Sequence, residues 1–220
     1  MKRVDSISVP KTSQSSVRMI IKKEGETRER KLVIYTKEEG NKRLSATKFL
    51  EPADVRGTAF LQISFDGNTQ QFLYLSSLKK TRRIAGGQKK TSFMGSEITY
   101  EDLERKNPDD YEHKLLKEDE ELYVVESVPK KGIESQYSKA ISYIRKSDFF
   151  VIKTELFSSD GKVVKIIENV PGNVEKYLVP LKTKVRNIQN GNETEMIVDE
   201  MKVDIPVESK YFSESLLGTW

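Results

Sequence analysis

His113 is the only histidine in the chain. It stands beside Asp109, Asp110 and Glu112. Those residue types could bind a metal or, with a serine, act as a general base. A lone imidazole in a Tyr-Glu-His-Lys run is ordinarily a solvated surface residue. A serine nucleophile in that setting would call for a Gly-x-Ser-x-Gly turn, which is missing. The chain has no cysteine, so thiolate nucleophiles, disulfides and sulfur metal sites are all excluded. The stretch from Ala85 to Thr91 carries the glycines and lysines of a phosphate cradle. It lacks the spacing of a phosphate loop or of a dinucleotide fingerprint, and reads as a flexible basic loop. These residues predict no enzyme, no metal site and no cofactor.

Two other groupings could bind rather than react. Lys79, Lys80, Arg82, Arg83, Lys89 and Lys90 form the densest basic cluster. It could meet phosphates, lipid headgroups or an acidic partner, or simply be solvated. Few aromatics are interleaved with it, and Glu101, Asp102 and Glu104 follow closely, so no nucleic-acid partner is predicted. The second grouping is apolar: Leu61, Ile63, Phe65, Phe72, Tyr74, Phe93 and Met94. Aromatics and a methionine suit an adaptable apolar cavity. Taken alone, the same stripe reads as an ordinary core.

The elements that would position these residues are short and mostly alternating. Val17, Met19 and Ile21 share one face of a strand over Ser15–Glu24. Strands follow over Arg30–Lys37 and Leu44–Leu50, the latter stopped by Pro52. Thr58–Phe65 and Gln70–Leu75 form a hairpin about Asp66-Gly67-Asn68. That hairpin is apolar on both faces, so something must cover each side. Residues 77–96 read as irregular. Thr99 and Asp102 have capping-box spacing and predict a short helix through Arg105, ended by Asn107-Pro108. Further strands are predicted over Tyr111–Lys117, Glu121–Val128, Tyr137–Arg145, Phe149–Ser158, Lys162–Asn169, Tyr177–Ile188 and Glu193–Val203. Tyr137–Arg145 also fits a helix. A last short helix within Pro206–Leu217 would place Phe212 and Leu216 on the core.

The chain has 220 residues, 38 basic and 34 acidic, for a net charge of +4. Signs are interleaved, so attraction to anionic surfaces is mild. No apolar run is long enough for a transmembrane helix, and no signal-peptide pattern opens the chain. That leaves a cytosolic protein or a trimmed exported one. No repeat or linker is visible. The reading is mainly β: one domain over 1–220, a single strongly curved antiparallel sheet of about 11 strands.

The middle third carries a resemblance. Phe49-Leu50-Glu51-Pro52-Ala53-Asp54-Val55-Arg56-Gly57-Thr58-Ala59-Phe60-Leu61 is one block. Tyr74-Leu75 through Lys80-Thr81-Arg82-Arg83-Ile84-Ala85-Gly86 is the next. Ser92-Phe93-Met94-Gly95-Ser96 through Tyr100-Glu101-Asp102-Leu103 is the third. Together they resemble the bacterial outer-membrane lipoprotein-sorting protein family, related to the LolA and LolB lipoprotein carriers. The resemblance implies an incomplete, half-open β-barrel whose concave face is covered by short helices. It implies a non-catalytic periplasmic carrier holding lipoprotein acyl chains or another lipid in an apolar cavity. The seven apolar residues above would line that cavity, and Arg56, Arg82 and Arg83 would lie at its rim or meet a partner. An inner-membrane transporter or an outer-membrane acceptor would be the partner. The alternative is a protein-interaction module of an envelope transporter or assembly complex. Met1-Lys2-Arg3-Val4-Asp5 matches only the tail of the family's first helix, and there is no lipobox cysteine.

Overall fold

A computed structural model describes residues 1–65 and 67–220. One helical turn, α1 (Lys2–Asp5), precedes thirteen strands. They are β1 (Thr12–Lys23), β2 (Glu26–Glu39), β3 (Lys42–Glu51), β4 (Ala59–Phe65), β5 (Asn68–Leu75), β6 (Lys80–Ile84), β7 (Tyr111–Glu118), β8 (Leu122–Pro129), β9 (Lys139–Arg145), β10 (Val151–Phe157), β11 (Val163–Val174), β12 (Tyr177–Asn187) and β13 (Glu193–Val203). All lie in one sheet, in the order β6-β5-β4-β3-β2-β1-β13-β12-β11-β10-β9-β8-β7. Every pairing is antiparallel, and the edge strands β6 and β7 do not pair, so the sheet is not closed. Bulges interrupt several ladders, for example at Ser16/Val17 and Lys31/Leu32, and bulges bend strands. Among the described residues no helix is long and apolar enough to cross a membrane.

The expectation of about 11 strands falls short of thirteen. The unread strand is β6, in the stretch taken as irregular; its Lys-Thr-Arg-Arg sequence has no apolar alternation to betray it. The segment left open between strand and helix is a strand, β9. The Thr58–Leu75 hairpin appears as β4 and β5, although Asp66 of its turn lies outside the described residues.

Both faces of that hairpin are covered, as its two-sided apolar pattern requires. On the inner face, Val17, Met19, Ile21, Leu32, Phe49, Phe60, Leu73 and Ile84 pack against Phe93 and Tyr100 from residues 85–107. On the outer face, Ala46, Ala59, Leu61 and Phe72 pack under Leu217 from the C-terminal tail. Phe49, Met19, Leu61 and Leu217 are fully buried.

The inner cover is a correction to the expected short helices. It is a plug of turns with one 3-10 segment, Gly86–Lys90. The capping box does form: Thr99 N donates to Asp102 Oδ2 at 2.8 Å and Asp102 N to Thr99 Oγ1 at 3.2 Å. No helix follows, because the next side chains are committed to the loop between β8 and β9 and to β11. Glu101 accepts from Ser135 Oγ at 2.5 Å and from the Gln136 amide. Irregular backbone buried in this way needs partners. The sheet provides them: Gln71 Nε2 donates to Tyr100 O (2.8 Å), Gln62 Nε2 to Leu103 O (2.9 Å), and Arg30 to Met94 O.

The tail forms two 3-10 turns, Ser209–Phe212 and Glu214–Leu216, in place of the expected helix. Phe212 meets the core, but Leu217 rather than Leu216 is the buried anchor. Trp220, the single tryptophan, sits edge-on to Tyr211 (4.8 Å) and Tyr35 (5.8 Å), with Lys48 5.3 Å from its ring. Gly218 permits this closeness: a Cβ there would lie 2.4 Å from the Tyr74 ring. Gly218→Ala should therefore cost about 1–3 kcal/mol by overpacking. It should also shift Trp220 emission to the red as the tail lifts. Unchanged emission and an unchanged urea midpoint would show that the tail is not seated on Tyr74.

Exposed and half-buried carboxylates set the acid limit. Hydrogen bonding from Arg18 holds Asp199 below its ordinary range, and Arg145 does the same for Asp148. Bonds from Ser158 and Lys162 bring Asp160 down to about 2. With folded values depressed below 3.8, the unfolded chain binds more protons. Their contribution is full above pH about 4 and is lost as pH falls through the folded values. Circular dichroism during acid titration should hold to about pH 4 and decline below it; a transition starting above pH 5 would contradict this assignment.

Candidate apolar cleft and its polar strut

The plug fills the inner face over β1–β6 but not over β7–β11. A cleft of about 260 Å³ remains there, lined mainly by apolar groups. Its walls include Tyr111, Tyr137, Ala140, Val151, Leu156 and Ile167, with Asp102, Glu104 and Lys106 of the plug above. Strand pairing creates the floor: Ser127, Ala140, Leu156 and Lys165 are successive cross-strand partners over β8, β9, β10 and β11. Side chains alternate faces along a strand, so Ser142, Thr154 and Ile167, two residues further along, share the same face.

One end of the cleft is closed by a buried strut. Lys165 Nζ donates to Asp102 Oδ2 at 2.5 Å and to the Tyr137 hydroxyl at 2.8 Å; that hydroxyl donates to Asp102 Oδ1 at 2.7 Å. The Lys165 and Asp102 side chains are 7% and 4% exposed. Burial, then the neighbouring Asp102 carboxylate, pushes the Tyr137 phenol above its ordinary range. Burial likewise pushes Tyr111 up to about 12, with Glu101 and Asp110 adding to it. Both phenols remain protonated, so each presents a neutral, mostly apolar wall. A second tie holds the plug further along: Glu97 accepts from Asn187 at 2.9 Å and from Asn192 at 3.2 Å.

His113 lies at the cleft margin. Its Nε2 donates to Pro108 O at 2.9 Å, and Nδ1 pairs with Ser127 Oγ at 2.8 Å. A hydrolase triad would have Nδ1 donate to a carboxylate and Nε2 face the serine; here Ser127 sits at Nδ1 and Nε2 is spent on a main-chain carbonyl. Among the described residues no group of three His, Cys, Asp or Glu could hold a metal ion.

The seven apolar residues singled out in the sequence do not share one chamber. Leu61 and Phe72 are buried on the outer face, with Ile63 and Tyr74 packed against them. Phe93 belongs to the inner core, and Met94 packs beside it. Phe65, half-buried, borders a small polar hollow near Asp5 and Arg105. The reason is parity: Leu61, Ile63 and Phe65 point away from Phe60, which faces the plug. Arg56 donates to Leu50 O at 3.0 Å, so it braces its own loop. Arg82 and Arg83 are exposed on the edge strand β6, Arg82 beside the Tyr100 phenol. Lys89 is paired with Glu104 at 2.6 Å.

The apolar walls of the cleft were not singled out in the sequence. One signal was available: Lys165 interrupts Val163-Val164-Lys165-Ile166-Ile167. A lone charge in an apolar run calls for a buried partner.

A family model described as "Uncharacterized protein" matches residues 41–219. Among solved structures, the chain is similar to a DUF1329 family protein from Desulfovibrio piger. The two are 26% identical over 98% of this chain and 95% of that one, with a TM-score of 0.92. An outer membrane lipoprotein-sorting protein domain from Vibrio parahaemolyticus is 28% identical over 99% and 95%, with a TM-score of 0.91. A LolA superfamily protein from Nitrosomonas europaea shares the fold at 21% identity over 98% and 96%, with a TM-score of 0.72. No curated protein matches the chain.

Proposed function

From the premise that the chain belongs to the DUF1329 family, a LolA-like family, we propose that it is a non-catalytic periplasmic carrier of acyl chains. Its cargo is a lipoprotein anchor or another lipid, handed between an inner-membrane transporter and an outer-membrane acceptor. The observation that carries this reading is the apolar cleft between plug and sheet. Its volume of about 260 Å³ lies just below the ~300–1,000 Å³ usual for ligand sites. It suits part of one acyl chain rather than the two or three that a wide chamber would take. Elsewhere on the inner face the plug side chains Phe93 and Tyr100 are packed into the core.

A carrier of this kind binds by burial, with no specific hydrogen bond. Each methylene buried contributes about 0.8 kcal/mol, roughly fourfold in affinity. Solvent extraction and mass spectrometry of protein purified from its native envelope should release acyl chains. Titration with single-chain amphiphiles of increasing length should give affinity that climbs until the cleft is full. Affinity independent of chain length would rule the reading out.

A second reading rests on β6, which presents exposed Lys80, Arg82 and Arg83 on an open sheet edge. Such an edge suits an interaction module of an envelope transporter or assembly complex. Charge reversal at Lys79, Lys80, Arg82 and Arg83 separates the two. Loss of partner binding with acyl uptake intact favours the module.

A further inference from the structure

The strut that closes one end of the cleft has a second side. Beyond Tyr137 lies a polar hollow of about 390 Å³, bordered by Lys23, Lys90, Lys165, Glu97 and Asn187. Tyr137 lines both spaces. The cross-strand row that floors the cleft continues into the hollow: Leu156 pairs with Lys165, and Lys165 with Asn187. Adjacent strands lie about 4.8 Å apart, so one row of the inner face passes from hydrocarbon to ammonium within a single strand spacing.

The electrostatics of the hollow are one-sided. Of the residues bordering it, Glu97 is the sole acid, and both its oxygens are taken by the amides of Asn187 and Asn192. Lys23 is exposed and only loosely paired, 3.9 Å from Glu24. Lys90 is exposed and makes no ion pair among the described residues. An ammonium has three N–H donors. Lys165 uses one on Asp102 and one on Tyr137, which leaves a third. A buried ammonium with a donor to spare borders the same hollow as two solvated lysines, and together they can meet an anion with charge-assisted hydrogen bonds.

We propose that this hollow is an anion subsite for a phosphate or carboxylate. Joined to the cleft across Tyr137, it forms a two-part site for a singly acylated anionic amphiphile. The inference rests on the carrier reading for its tail half and on Lys23, Lys90 and Lys165 for its head half. An uncharged acylglycerol headgroup gains nothing from the lysines. The cargo class is thereby narrowed from any acyl chain to one with an anionic head.

The test compares three probes on the intact protein by isothermal titration: a lysophosphatidic acid, a monoacylglycerol with the same chain, and inorganic phosphate. Charge-assisted bonds are worth about 1.5–3 kcal/mol, so the phosphate amphiphile should bind about 10- to 100-fold more tightly than the neutral one. The double variant Lys23→Gln, Lys90→Gln alters only exposed side chains, so the fold is retained. It should erase most of that preference and leave monoacylglycerol binding unchanged. Equal binding of the two amphiphiles to the wild type, with no response to phosphate, overturns the subsite and leaves the carrier reading intact. Phosphate binding that depends on Lys23 and Lys90, without any headgroup preference, supports the subsite but assigns it to a free anion. If neither amphiphile binds while phosphate does, the carrier reading falls and the anion site stands.

Discussion

Asp102→Ala should lower stability by about 3–5 kcal/mol, the largest single loss expected outside the apolar core. The reason is the partner left behind. Lys165 is 6% exposed, and among the described residues Asp102 is its only anionic contact, at 2.5 Å. Without that carboxylate an ammonium stays buried with only a phenol oxygen to meet it, and the Thr99 amide loses its acceptor as well. For a domain of this size each kcal/mol moves Tm by about 2–4 °C, so thermal unfolding should fall by roughly 10 °C. A control separates charge burial from lost contact. Asp102→Leu with Lys165→Met and Tyr137→Phe removes all three polar side chains of the strut, leaves only the Thr99 amide unmet, and should recover most of the loss, because an apolar replacement of a buried pair is often neutral. If the single and triple variants are equally unstable, the strut acts through packing alone.

Ala140→Trp should weaken acyl binding strongly while leaving the fold intact. Ala140 sits in the cleft floor between Ser127 and Leu156, and the space above it is open. An indole there takes the volume a tail would occupy. Each methylene shut out forfeits about 0.8 kcal/mol, so excluding a few of them should weaken binding on the order of 100-fold. Fluorescence of an environment-sensitive fatty-acid probe reads the loss. An unchanged urea midpoint shows that the variant folds. Wild-type probe affinity in the variant would move the acyl site elsewhere.

The two halves of the molecule differed in how plainly their sequences spoke. In Ala59–Phe65 and Asn68–Leu75 large apolar groups alternate on both faces, and that pattern alone demanded two covers. It could not say what they were. The covers are irregular segments, and irregular backbone has no period to read. The Thr99–Asp102 capping box is a true local signal. Its helix is overridden because Glu101 and Asp102 spend their side chains on Ser135 and Lys165, residues far along the chain. The cleft was hidden for a related reason. Its walls are ordinary strand residues, and what makes them a site is the plug ending short of them. Leu61 and Phe72 looked equally suitable, but the sequence does not reveal that the tail seats Leu217 on them.

The strand order also bears on how the chain reaches this shape. Every neighbouring pair in the sheet joins strands consecutive in sequence except β1 with β13. Two meanders, one from β1 to β6 and one from β7 to β13, can thus zip up hairpin by hairpin at little loop-closure cost. The seam from Ser13↔Val203 to Lys22↔Glu193 must wait for both. Since the plug needs Arg30 and Gln71 from one meander and Lys165 and Thr194 from the other, its docking and the seam should lock in the same late step. Until then each half offers a bare apolar wall, which makes the half-assembled chain prone to association before the seam closes.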